Sequence, residues 1–275
     1  MQNAPRLSQI MPTEKVMSNT DYHKSGGINK SKLDDMDRSP LHAWERWINP
    51  KHVEEPPTPA MLLGSAYHKF QTEPDDFFNE FIIAPQINRR TKVGKEEYAK
   101  FEKTAKGKTL VDDKDFTRIQ AMCESVRNHP AASKLLALKG KPEVSITWKD
   151  YETGLDCKCR PDWYCPEDGI LVDFKTTEDA SERGFQRSVE KFRYHVQAAW
   201  YLRGVENCQS FIFIAVEKKA PYAVACYNAS AEMLAAGGRA AERNLQQWAR
   251  CLESKRWPSY ADNIVNLDPP KWNND

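Results

Sequence analysis

The chain has 275 residues, 40% of them hydrophobic, and carries 40 Lys and Arg against 39 Asp and Glu for a formal net charge of +1. That is enough apolar material for one large folded domain or two small ones, and it excludes a disordered composition. Near-neutrality excludes an even basic coat but leaves room for a local phosphate-binding stripe beside an acidic, metal-holding cluster.

No run approaches the roughly 18 apolar residues of a membrane span, and the start, MQNAPRLSQIMPTEK, has no secretory apolar core, so a cytoplasmic protein is expected. Seven cysteines, an odd number spread thinly, are expected to be reduced and to pack as small hydrophobes.

In chain order, residues 1–18 lack apolar periodicity and are expected as a flexible arm, with ordered structure from near Met17 and one domain over 19–275. GGINKSKLDDMDRSPLHAWERWIN predicts a short helix capped by Asn29 or Ser31, a break at Pro40 and a second helix carrying Trp44 and Trp47. TPAMLLGSAYHKFQTEP predicts one helix of about four turns, entered at Thr58 and Pro59 and stopped before Pro74. Residues 81–95 are expected to be extended and basic, followed by helices over 95–106, 112–128 and 130–138.

After Pro142 the pattern changes. EVSITWK alternates as a strand, LDCKCRPDWYC is expected to continue as a second and GILVDFK as a third. A helix around RYHVQAAWYLRG follows, then strands QSFIFIAV and PYAVACY and a long helix from AEMLAAGG onward. This order predicts an α/β fold in which helices flank a mixed central sheet, with a helical front section over about 19–140 and a sheet core over about 141–256.

Cys165 and Ile170 are separated by PEDG, rich in turn formers, so their strands should form a hairpin. With Cys165 facing Ile170, the register sets Asp162 opposite Asp173. Two carboxylates with Cβ atoms about 4.5–5.5 Å apart repel, and a divalent cation held by both resolves the conflict. Lys175 is two residues beyond Asp173 on the same strand face, where its ammonium can position water and stabilise charge on a phosphate, while Phe174 points to the core. Phosphodiester hydrolysis is the reaction this set predicts.

Pro161-Asp162 followed by Asp173-Phe174-Lys175 resembles the PD-(D/E)xK nuclease motif. Further matches point to the branch containing RecB-type and lambda-exonuclease-type recombination nucleases. Gly64-Ser65-Ala66-Tyr67-His68 resembles its G-x-x-x-H element, which implies His68 as a metal ligand, with Gly64 one turn earlier permitting close packing. Glu143 stands where a further acidic residue is common, either supporting a second metal or its water, or meeting solvent at a strand edge. Gln197 and Tyr201 match Q-x-x-x-Y, where they share a helix face toward the catalytic lysine or the DNA backbone.

From about Met17 to Trp272 the chain is similar to the C-terminal nuclease domain family of RecE, or exonuclease VIII, through SNTDYHKSGGINKSKLDDM, LGSAYHKF, APQINRRTKVGKEEY, CRPDW, VDFKTT and RYHVQAAWY. The resemblance implies Mg²⁺ (Mn²⁺ substituting), one or two ions per site, held by His68, Asp162, Asp173 and the Phe174 carbonyl. It also implies 5′-to-3′ digestion of linear double-stranded DNA to leave 3′ single-stranded tails, a ring-shaped homo-oligomer, tetramer rather than trimer, and a single-strand annealing partner of the RecT type. An endonuclease or structure-selective nuclease of the same superfamily, or a silent DNA-binding relative, remains open at this point. Arg89, Arg90 and Lys92 form a basic stretch suited to phosphates or to a solvated loop, and Ser31 and Lys32 at a helix start could hold a terminal phosphate.

Overall fold

The computed structural model describes residues 12–15, 17–88 and 90–268. The elements in chain order are β1 (Thr13–Lys15), α1 (Asn19–Lys24), α2 (Lys30–Arg38), α3 (Pro40–Trp47) and α4 (Pro59–Thr72), then α5 (Phe77–Glu80), β2 (Phe81–Ala84), α6 (Lys92–Ala105), β3 (Thr109–Asp112), α7 (Asp113–Asn128) and α8 (Pro130–Leu136). The second half holds β4 (Lys141–Pro142), β5 (Ser145–Lys149), β6 (Asp156–Cys159), β7 (Trp163–Cys165), β8 (Ile170–Thr177), α9 (Glu182–Phe192), α10 (Tyr194–Gly204), β9 (Ser210–Glu217), β10 (Val224–Asn228) and α11 (Ala231–Ser254).

The central sheet runs β10-β9-β8-β7-β4, with β8 and β9 parallel and the other pairs antiparallel, so it is mixed as the sequence predicts. A second sheet has the order β1-β5-β6, and β2 pairs with β3 in parallel. The β7–β8 hairpin has the predicted register, Cys165 facing Ile170 and Trp163 facing Val172, and its loop ends on Gly169 in the left-handed region at φ 68°.

The alternation along β8 and β9 feeds two cores, one on each face of the central sheet. Leu171, Phe211, Phe213 and Ala215 pack with Trp200 of α10, Trp248 of α11 and Leu33 of α2. Val172, Phe174, Ile214 and Val216 pack with Tyr67 of α4 and Met122 and Val126 of α7. Register is therefore not negotiable. A slip of one residue would drive Asp173 into the apolar face that Phe174 fills, losing the roughly 1.5–3 kcal/mol of a buried aromatic and burying a charge as well.

Several expectations give way. Thr13–Lys15, placed by sequence in a flexible arm, pairs antiparallel with β5, because an edge strand joins through backbone groups that side-chain periodicity does not report. LDCKCRPDWYC is not one strand: Pro161 has no N–H to donate and restricts the residue before it, so pairing stops after Cys159 and resumes at Trp163 in the other sheet. The extended stretch expected over 81–95 ends early, since the Thr91 hydroxyl accepts from the Gly94 N–H and starts α6 at Lys92. The short α1, α5, β3 and β4, and the eleven-residue α9, have no counterpart in the sequence reading. Among the described residues no helix is long and apolar enough to cross a membrane.

Helices α10 and α11 meet at Gly237, where a Cβ would lie 1.9 Å from the His195 carbonyl oxygen, whereas nothing lies within 4 Å of a Cβ at the neighbouring Gly238. Gly237→Ala is therefore expected to lower stability by about 1–3 kcal/mol through overpacking. Gly238→Ala should raise it by about 0.5–1 kcal/mol through helix propensity. Urea unfolding followed by circular dichroism checks both, and shifts of the same sign would contradict this packing.

Candidate active site

The site stands where the chain passes twice between the two larger sheets. Glu143 lies between β4 of the central sheet and β5 of the three-stranded sheet, and Pro161-Asp162 lies between β6 and β7 on the return. Glu143 adopts the left-handed region at φ 50°, unusual for a residue with a side chain, and its N–H donates to the Asp162 carbonyl at 3.3 Å. The two crossings are thus tied together, and each delivers one carboxylate.

A third side chain comes from α4. Thr58 caps this helix by accepting the Met61 N–H at 3.3 Å, with Pro59 in its first turn. Two and a half turns later His68 brings Nδ1 to 3.1 Å from Asp162 Oδ2. One ligand atom from each of His68, Glu143 and Asp162 can be chosen so that all lie within 4.8 Å of one another. Gly64 does not serve close helix packing as the sequence suggested: a Cβ there would meet nothing within 4 Å. It lines the mouth of a 340 Å³ cavity together with His68, Glu143, Arg160 and, from α1, Asn19 and His23.

The Asp162 carboxylate is oriented by the backbone of the neighbouring strand. Because the β7–β8 ladder goes no further than Trp163 opposite Val172, the Phe174 N–H has no strand partner on that side and donates instead to Asp162 Oδ2 at 2.7 Å. In an extended strand the N–H and C=O of one residue point to the same edge, so the Phe174 carbonyl also faces the site. The Phe174 ring points the other way and is fully buried.

Asp173 is also fully buried, but it is held differently from the sequence expectation of a cation shared between Asp162 and Asp173. Its Oδ2 forms a close ion pair with the Lys175 ammonium, and its Oδ1 accepts from Gln197 Nε2 at 2.5 Å. It therefore stands beside the His68, Glu143 and Asp162 group and is not part of it. Lys175 also lies over the Tyr194 ring, 4.8 Å from its centroid. Glu143 is more central than sequence position suggested: Arg160 Nε lies 2.9 Å from Glu143 Oε2 and donates to the Glu143 carbonyl at 3.0 Å.

Protonation follows from this crowding. Burial, with Asp162 adding and Arg160 opposing, pushes the Glu143 carboxyl up to about 7. Burial likewise raises Asp173 to about 6, with Lys175 opposing and Asp162 adding. Burial would depress the His68 imidazole, but the Asp162 carboxylate outweighs it and the net shift is upward. Asp162 goes the other way, burial being overcome by His68, Lys175 and the Phe174 amide. Crowded carboxyls whose proton affinity is raised at Glu143 and Asp173, and a buried Asp173 Oδ2 with no hydrogen bond beyond its ion pair, are what a set of oxygen and imidazole donors for a divalent cation shows without the ion's charge. The donor set fits a divalent metal.

Other predicted residues lie elsewhere. Lys32 is turned inward, donating to the Gly27 carbonyl at 2.8 Å and lying 5.4 Å from the Trp47 ring centroid, because Asn29 rather than Ser31 caps α2. It is not presented to a terminal phosphate. Ser31 is half-buried in the first turn of the same helix. Tyr201, half-buried on α10, packs edge-on against Phe211 at 6.0 Å with its phenol held up by burial. Arg90 and Lys92 are exposed at the start of α6, away from the groups that line the site. Arg89 lies outside the described residues. Sequence reasoning missed Arg160 and Tyr194; the first was visible only as the residue before Pro161-Asp162, and the second carried no signal.

A family profile described as "PDDEXK-like domain of unknown function (DUF3799)" matches residues 30–268. A crystal structure of a candidate exonuclease from Eubacterium rectale superposes with a TM-score of 0.61 at 15% identity, covering 94% of this chain and 97% of that one. A phage-related exonuclease from Haemophilus somnus 129PT superposes with a TM-score of 0.35 at 14% identity, over 70% of this chain and 94% of that one. No curated protein matches.

The raised groups give a pH test. The folded, metal-free protein keeps protons on Glu143 and Asp173 that the unfolded chain releases at lower pH, so its stability should fall as pH rises from about 4 through about 7, and the raised His68 imidazole acts in the same direction. A divalent cation displaces those protons, so the rise in Tm on adding it should be small near pH 5 and grow toward about pH 8. Thermal unfolding with and without the cation across that range checks this; a cation effect independent of pH would contradict it.

Proposed function

The chain belongs to the DUF3799 family of PDDEXK-like domains, and from that premise we propose that it is a Mg²⁺-dependent exonuclease that digests linear double-stranded DNA from the 5′ end and leaves 3′ single-stranded tails. The observation that carries the reading is the convergence of His68, Glu143 and Asp162 within 4.8 Å beside the buried Asp173–Lys175 pair. His68, Glu143 and Asp162 would hold the ion, with the Phe174 carbonyl on the same side and Asp173 adjacent, and Mn²⁺ should substitute because oxygen and imidazole donors suit both. One or two ions fit this reading. When bound, the cation supplies Lewis-acid stabilisation of charge on the phosphoryl oxygens.

The protein's own groups do the rest. Lys175, held between Asp173 and the Tyr194 ring, presents an ammonium that orients the attacking water and offsets negative charge developing on the phosphate. Gln197 fixes the Asp173 carboxylate and so the direction of the lysine. Arg160 holds Glu143 in its left-handed turn, and the Phe174 N–H holds Asp162. Exposed Arg90 and Lys92, with Arg89 between Asn88 and Arg90, serve the duplex phosphates, a role for which arginine's paired donors suit the geometry. The similarity to the exonuclease VIII type supports direction, a ring-shaped tetramer that encloses its product strand, and work in the cytoplasm of a bacterial or phage-infected cell with a RecT-type annealing protein.

Incubating the protein and Mg²⁺ with linear duplex labelled at the 5′ or the 3′ end tests this reading. Early release of the 5′ label and a lasting 3′ label are expected, with closed circular duplex left intact. Lys175→Ala should slow cleavage by about 100- to 1,000-fold, and Asp162→Ala should abolish it. Cutting of the closed circle would replace the exonuclease reading with an endonuclease one, and full activity in both variants would remove the site assignment.

A further inference from the structure

Beyond Lys175 the two parallel strands end together. Thr176 and Thr177 finish β8, Lys218 follows β9, and a 620 Å³ crevice opens outside these carboxyl ends between the start of α4 and helix α9. In open α/β sheets this is where ligands bind, and the volume falls in the range of about 300–1,000 Å³ typical of small-molecule sites. Its wall is continuous with the active centre: Tyr194, over which Lys175 lies at 4.8 Å, also lines the crevice.

Two further features give the crevice a chemistry. Arg193 takes the left-handed region at φ 54° and turns the chain so that Phe192 stacks on Tyr194, with centroids 5.6 Å apart and planes inclined by 26°. Phe192 remains 47% exposed, and Met61 on α4 is 59% exposed. Two apolar side chains are thus left in solvent within one crevice. The cations are Arg187, Lys191 and Lys218; Arg187 is paired with Asp179 and Lys218 with Glu178, while Lys191 has no ion pair among the described residues and lies 5.2 Å from the Phe192 ring centroid. An apolar ring face beside an unpaired cation suits a base attached to a phosphate.

We propose that this crevice binds an unpaired nucleotide of the DNA strand at the active centre, with its base against Phe192 and Met61 and its phosphate beside Lys191. For the identity of its ligand the inference rests on the nuclease reading. The crevice is of small-molecule size, so its occupant is one or two splayed nucleotides and not the duplex, and stacking on a ring accepts any base. Phe192 is then a substrate-binding residue outside the metal-holding set.

The test measures fluorescence anisotropy of a short fluorescein-labelled oligothymidylate binding to the full chain carrying Asp173→Asn, which keeps the probe intact. Phe192→Ala in that background should weaken binding by roughly 5- to 150-fold, the worth of one base–aromatic stack. Phe192→Trp should restore it, and Lys191→Glu should weaken it with a shallower salt dependence. Thermal unfolding of each variant verifies the fold, and since Phe192 is half in solvent these changes should leave Tm within a few degrees. Unchanged single-strand binding in both Phe192→Ala and Lys191→Glu overturns the proposal even if wild-type cleavage is intact. Single-strand binding that depends on Phe192, in a protein that cleaves no DNA, supports the proposal while the nuclease reading fails.

Discussion

The hydrogen bond from the Phe174 N–H to Asp162 Oδ2 joins the two parts of the motif, and it exists because the β7–β8 ladder stops at Trp163 opposite Val172, two residues before Phe174. Proline at 161 forces that stop, since a residue without an N–H cannot extend the ladder. The vacated position leaves the Phe174 amide needing an acceptor inside the protein, where an unpaired donor costs about 1–3 kcal/mol. The side chain directly after the proline supplies it. A backbone requirement thereby aims a carboxylate at His68, and the same arrangement leaves the Phe174 carbonyl facing the site.

Charge is the second constraint. Burying Asp173 completely would cost several kcal/mol without compensation, and the Lys175 ammonium and Gln197 amide provide it within the fold. Asp162 is compensated by His68 and the Phe174 amide, and Glu143 by Arg160. These partners leave the carboxyls of Glu143 and Asp173 still raised, so the compensation is incomplete. A divalent cation would complete it, and so would link the stability of this corner of the protein to its chemistry.

The roof of the site depends on a buried lysine outside the motif. Lys158 of β6 donates to the Tyr22 carbonyl at 2.5 Å and the Ser25 carbonyl at 2.7 Å, and its ammonium lies 4.4 Å from the Tyr22 ring centroid. It thereby docks the short α1, which brings Asn19 and His23 to the mouth of the cavity. A six-residue helix is marginal on its own, so tertiary contacts of this kind hold it in place. A second opening, the crevice at the ends of β8 and β9, is lined by Tyr194, whose ring lies beneath the Lys175 ammonium.

Local chemistry made much of this legible from sequence. The turn formers of PEDG and the alternation of GILVDFK set the hairpin register, hence the placement of Asp162, Asp173, Lys175 and Phe174; Thr58, Pro59 and Asn29 marked helix starts, and i, i+4 spacing put Gln197 on a face that reaches Asp173. Tertiary structure alone decided what depends on partners distant in the chain. Pairing of Thr13–Lys15 with β5 and the docking of α1 both follow from backbone or charged groups finding acceptors more than a hundred residues away. Sequence spacing shows which carboxylates face each other across a hairpin, but which partners hold each of them, an ammonium and a side-chain amide for Asp173, an imidazole and a backbone amide for Asp162 and a guanidinium for Glu143, is settled only when α4, α10 and the crossing between sheets converge.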